Sequence, residues 1–159
     1  RYDAFISFAW DDYGSVCPVV EYLEEQHNFA CCIHNRDFSP AERFLDQMGA
    51  AIKDSRRILC FVSPHFLQSE YCVWEFTDAF QNQIESGKTR LAVIMLDSNL
   101  EFTVKNQVVR QYINTFTYLD FHDPDFDSKL LYLMPSSPVQ PQSENTGQSE
   151  VNGGQSSDE

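Results

Sequence analysis

The chain has 159 residues, 42% of them hydrophobic and 14% aromatic, with 24 acidic against 11 basic side chains and a net charge of −13. This is the length of one domain with enough apolar residues for a core. The acidic balance excludes a phosphate-tracking nucleic-acid binder and a polybasic membrane-surface domain. No apolar run approaches the ~20 residues of a membrane span, and residues 1–8 do not read as a signal peptide.

Short apolar runs alternate with amphipathic stretches along the chain. Residues 2–8 read as a first strand. Asp11 or Asp12 is placed to cap a helix whose apolar positions Val16, Val19, Val20 and Leu23 keep helical spacing. Residues 29–33 make a second strand, residues 34–43 a loop, and Phe44, Leu45, Met48, Ala51 and Ile52 a helical stripe. Residues 57–62 are almost wholly apolar after Arg57, the pattern of a central strand buried on both faces, and Ser63-Pro64 ends it. A helix is expected over 71–84 with Gly87 as its stop, a strand over 91–96 and a weaker helix over 104–113. A fifth strand is expected over 115–119, and a last helix carries Phe126, Leu130, Leu131 and Leu133.

Five strands alternating with helices predict an α/β fold: a flavodoxin-like parallel sheet, order 2-1-3-4-5, with helices on both faces. Composition changes after Pro135. Residues 136–159 are Ser, Gln, Gly, Asn, Pro and acid, which predicts a domain over 1–135 and a disordered acidic tail over 136–159. Five cysteines, with no CxxC pair, fit neither a disulfide framework nor a zinc site and point to a reducing compartment.

In such sheets the reactive loops lie beyond the carboxyl ends of the strands. The loop after residue 8 has one glycine and two carboxylates, Asp11 and Asp12, so it is no phosphate cradle. A phosphoacceptor reading of those carboxylates lacks an Asp after the third strand and a Lys after the fifth. No two histidines stand at i, i+4, and no GxSxG elbow occurs. Two segments stand out. In Arg36-Asp37-Phe38-Ser39-Pro40-Ala41 a large apolar residue sits in a loop stiffened by proline. Phe38 is either an exposed contact tip or a cover for the sheet edge. Glu75 lies near a helix start among aromatic residues. It is either a carboxylate with a raised pKa or an ordinary helix-face acid favoured by the dipole.

Together these pieces resemble the Toll/interleukin-receptor (TIR) domain, closest to the cytoplasmic domain of Toll-like receptors. Residues 2–8 resemble the family's first box, residues 32–40 its second box in the BB loop, and residues 55–75 its third strand leading into the third helix. The resemblance covers residues 1 to about 134. Three positions depart from it. Ala41 replaces the usual Gly after Pro40, Phe126-Asp127 replaces a Phe-Trp box, and Tyr71 stands where enzymatic members often carry Trp.

The resemblance implies a cytosolic innate-immune signalling module that assembles through homotypic TIR–TIR contacts, by self-association and with the TIR domain of a receptor or adaptor. Its BB-loop contacts would be Arg36, Asp37, Phe38, Ser39, Pro40 and Ala41. A second surface would include His65, Phe66, Glu70 and Tyr71. Any membrane attachment would lie in a span outside this chain, and no metal or cofactor is implied. The acidic charge predicts basic partners and salt-sensitive binding. The alternative implied by the same resemblance is an NAD⁺ glycohydrolase in which Glu75 stabilises an oxocarbenium-like state, with Phe8, Trp10 or Arg36 lining the pocket and NAD⁺ as substrate.

Overall fold

The computed structural model describes residues 1–37, 40, 44–88, 90–97 and 106–139. Five strands, β1 (Tyr2–Ser7), β2 (Cys31–Cys32), β3 (Ser55–Val62), β4 (Leu91–Met95) and β5 (Leu119–Asp120), form one parallel sheet. Its order is β2-β1-β3-β4-β5, the order expected from the sequence. The helices are α1 (Tyr13–Glu21), α2 (His34–Asp37), α3 (Phe44–Asp54), α4 (Pro64–Gln68), α5 (Glu70–Ser86), α6 (Gln107–Thr115) and α7 (Phe126–Leu133).

Side chains alternate across the strands, so each strand feeds two cores. Phe5, Ile58, Cys60 and Val62 pack with Met48 and Ile52 of α3, Phe76 and Phe80 of α5 and Tyr112 of α6. Ala4, Ile6, Leu59, Phe61 and Ile94 pack with Val16 and Val20 of α1 and Leu130 of α7. Burial on both faces explains why β3 from Ile58 onward, and β4, are apolar without a polar alternate.

The structure corrects several boundaries. Neither Asp11 nor Asp12 caps α1: Trp10–Asp12 form a 3₁₀ turn, and the Asp12 carboxylate instead accepts the Ser63 hydroxyl. Ser63 in turn caps α4 by accepting from Phe66 N at 3.0 Å. Residues 34–37, expected as loop, form α2, because Asp37 reaches back to accept from Ile33 N at 2.8 Å. The fifth strand lies later than 115–119. Helix α6 runs to Thr115, and Phe116 closes it by donating to Tyr112 O at 2.8 Å and stacking on that ring at 5.1 Å. Asn106 starts this helix by accepting from Val108 N and Val109 N. Residues 104–105, expected in the same helix, lie outside the described residues, as do 140–159 of the expected tail.

The first residues after Pro135 are tied to the domain. Asp3 is fully buried in β1, and its carboxylate accepts from Ala30 N at 2.8 Å and from Val139 N at 3.0 and 3.1 Å. Arg56 completes the cluster, 3.1 Å from Asp3 and 2.6 Å from Ser137 O. Arg57 Nε donates to Leu133 O at 3.2 Å. Residues 133–139 therefore strap the amino ends of β1 and β3. A buried carboxylate demands such partners, and the strap supplies one of them, the Val139 N–H shared by both oxygens.

Candidate functional site

At the opposite end of the sheet β1 ends at Ser7, and Phe8 just beyond it lines a cleft of about 380 Å³. The cleft lies between the 3₁₀ turn after β1 and the start of α5; Phe8, Trp10, Asp11, His65, Tyr71 and Glu75 are among its lining residues. Trp10 stacks on Tyr13 at 4.7 Å with 20° between the planes, and Phe8 lies 6.4 Å from Trp10 and 6.1 Å from His34. The stack fixes the indole while leaving it 58% exposed, and Tyr71 is equally exposed. His65 Nδ1 stands 3.5 Å from the Asp11 carboxylate.

Helix α5 begins where Ser69 Oγ accepts from Cys72 N at 3.4 Å, and it ends at Gly87, whose φ of 68° suits glycine. Its buried face carries Cys72, Phe76, Ala79, Phe80 and Gln83. Glu75 falls inside that stripe, which is why it is only 2% exposed. Burial pushes its carboxyl up to about 7, while the bond donated by the Ser7 hydroxyl pulls the other way. The neighbouring thiols are not activated. Burial raises Cys72 to about 11 and drives Cys60 well above its ordinary value.

The structure brings His65 and Tyr71, expected on the second surface, into one cleft with Glu75, Phe8 and Trp10 of the alternative's pocket. Phe66, expected on the second surface, is fully buried: it is the residue whose N–H Ser63 caps, and α4 turns its side chain into the core. Glu70 is exposed at the first turn of α5. Arg36 is not among the cleft's lining residues. It grips Glu24 through two bonds of 2.7 and 2.9 Å, pairs with Asp37 at 3.0 Å and donates to Cys31 O at 2.8 Å. These carboxylates hold the guanidinium firmly protonated. Pro40 is exposed, whereas Phe38, Ser39 and Ala41 of the expected BB loop lie outside the described residues.

Ser7 is the functional neighbour that sequence reasoning missed. A small polar residue ending an apolar strand was the available signal. Larger hollows of about 530 and 460 Å³ lie by α3 and by α6, but neither is lined by a buried carboxylate. Among the described residues no cluster of His, Cys, Asp and Glu could hold a metal ion.

The family model for the TIR domain matches residues 4–133. Protein toll of Drosophila melanogaster is 28% identical over 139 residues, covering 85% of this chain and 12% of its own length. Toll-like receptor 13 of Mus musculus is 32% identical over 127 residues, covering 77% of this chain and 13% of its own. The chain thus spans a small part of the curated relatives it matches. The crystal structure of the TIR domain of the Toll-related receptor TRR-2 from Hydra magnipapillata superposes with a TM-score of 0.67 at 21% identity, covering 83% of this chain and 97% of that one.

Proposed function

The chain belongs to the TIR domain family and is related to the signalling domains of Toll and Toll-like receptors, and from that premise we propose that it is an assembly module. It docks on the TIR domain of a receptor or adaptor in innate immune signalling. The contacts are the BB loop over residues 36–41 and the rim formed by Trp10, His65, Glu70 and Tyr71. One observation carries this reading: the carboxylate is turned inward to Ser7 while Trp10 and Tyr71 at the cleft's rim face out. Exposed aromatic groups held by stacking suit a docking surface, because little freedom is lost on contact. The domain works on the cytosolic side of a membrane to which a span outside this chain attaches it. Among the described residues no helix is long and apolar enough to cross a membrane. The test is co-sedimentation with a TIR-domain adaptor. Trp10→Ala is expected to weaken it at least tenfold with an unchanged melting curve, and failure of the folded wild-type chain to co-sediment would sink the proposal.

A second reading rests on Glu75 itself. A carboxyl that titrates near neutrality on the floor of an aromatic-walled cleft is suited to stabilising a developing cation. Cleavage of the nicotinamide–ribose bond of NAD⁺ by water would release nicotinamide, ADP-ribose and a proton. Nicotinamide release by the concentrated wild-type domain, lost in Glu75→Ala, would establish this activity. Its absence from a folded, self-associating sample removes the enzyme reading.

A further inference from the structure

We propose that the cleft over Glu75 receives a cationic side chain, a guanidinium in particular, from the TIR domain that docks there. The inference rests on the assembly reading and names what the partner brings. Among the described residues the cleft is lined by two carboxylates, Asp11 at the rim and Glu75 at the floor, and by no lysine or arginine. Its walls are the rings of Phe8, Trp10 and Tyr71. Of its two imidazoles, His34 is held towards its neutral form by burial, and His65 faces Asp11. Aromatic faces beside carboxylates attract a planar cation twice over, through the ring quadrupole and through charge. The same lining repels an anion such as a diphosphate. The cleft's 380 Å³ admits the end of a long side chain and not a helix.

The donor is a basic TIR chain and not a second copy of this one. Two molecules each carrying −13 repel, whereas a basic patch is drawn in. Arg36, in the chain's own second box, is engaged with Glu24 and Asp37 and does not line the cleft.

The test uses the full chain with Trp74→Phe, which leaves Trp10 as the single tryptophan of the two. Its fluorescence is titrated with N-acetylarginine amide, with the neutral isostere N-acetylcitrulline amide, and with NAD⁺. The expected result is saturation by the arginine compound at roughly tenfold lower concentration than by citrulline, with Asp11→Asn reducing that preference about threefold. Equal response to the two compounds overturns the inference. A response to NAD⁺ without one to arginine also overturns it and returns the cleft to the nucleosidase reading. Assembly with a basic TIR partner is followed in parallel by sedimentation. Unchanged assembly in the Trp10→Ala, Asp11→Asn protein overturns the inference while the assembly reading stands. Absence of assembly in the wild type overturns that reading, and the proposed donor falls with it.

Discussion

Ser7, the last residue of β1, donates its hydroxyl to Glu75 of α5 across 68 positions of sequence. The bond joins the central sheet to the helix that forms one wall of the cleft. It also sets a pH signature. The folded carboxyl titrates at about 7 against 4.5 when unfolded, so the folded state holds the extra proton between those values. The group's contribution is therefore full below about 4.5 and is lost as pH rises towards 7, by about 3 kcal/mol. Glu75→Gln keeps an acceptor for Ser7 and stays neutral. Urea unfolding is expected to find it close to wild type at pH 4.5 and more stable by about 3 kcal/mol at pH 8. Parallel pH profiles for the two proteins would refute this account of the site.

Arg36 is a brace. Its two-pronged hold on Glu24 and its bond to Cys31 O tie α2 to β2 and to the π-helical turn Tyr22–Gln26 that follows α1. Arg36→Ala is expected to cost about 1 kcal/mol, given the pair's partial exposure, and to speed amide exchange across residues 34–37. Arg36→Lys should not restore it, because an ammonium cannot reproduce the fork. Rescue by lysine would mean that charge alone matters.

Pro40 is exposed, so replacing it leaves the core untouched. Pro40→His is expected to weaken capture of a TIR adaptor while shifting stability by no more than about 0.5 kcal/mol. Capture should also fall as salt rises, since the chain is acidic. Gross unfolding in a thermal melt would remove the interpretation.

Asp3 predicts an ordering of defects. Asp3→Ala leaves Ala30 N, Val139 N and Arg56 without their carboxylate and is expected to lose about 3 kcal/mol. Ending the chain after Pro135 removes only the strap's bonds to Asp3 and Arg56, with an expected loss of about 1 kcal/mol. A truncated chain as stable as the full one would show that the strap contributes nothing.

The sheet was legible because strands buried on both faces must be apolar throughout, as at Ile58 to Val62, and because right-handed crossovers leave few strand orders. The fifth strand was misplaced because Thr115 to Leu119 is β-branched and aromatic. Packing of Phe116 on Tyr112 overrides that local preference. Glu75 stood out by its aromatic neighbours, whereas its partner Ser7 lies 68 residues away, beyond any local pattern. Arg36 stood out as part of the second box, but its bonds to Glu24, twelve positions back on a different element, lie beyond any local pattern. Phe66 sat in a conspicuous motif, but helical phase alone decided that it faces inward.

The strap at Asp3 gives the domain a handle. Arg1, paired with Asp54, and Val139, bonded to Asp3, both lie at one pole, the amino end of the sheet, and the six residues of β1 set the aromatic cleft about 20 Å away at the other. Whatever holds residue 1, whether a longer chain or a coated surface in an experiment, presents Trp10 and Tyr71 outward. A reporter attached at residue 1 therefore reads docking without standing in its way, and rotation about that pole sweeps the cleft through space like the tip of a lever.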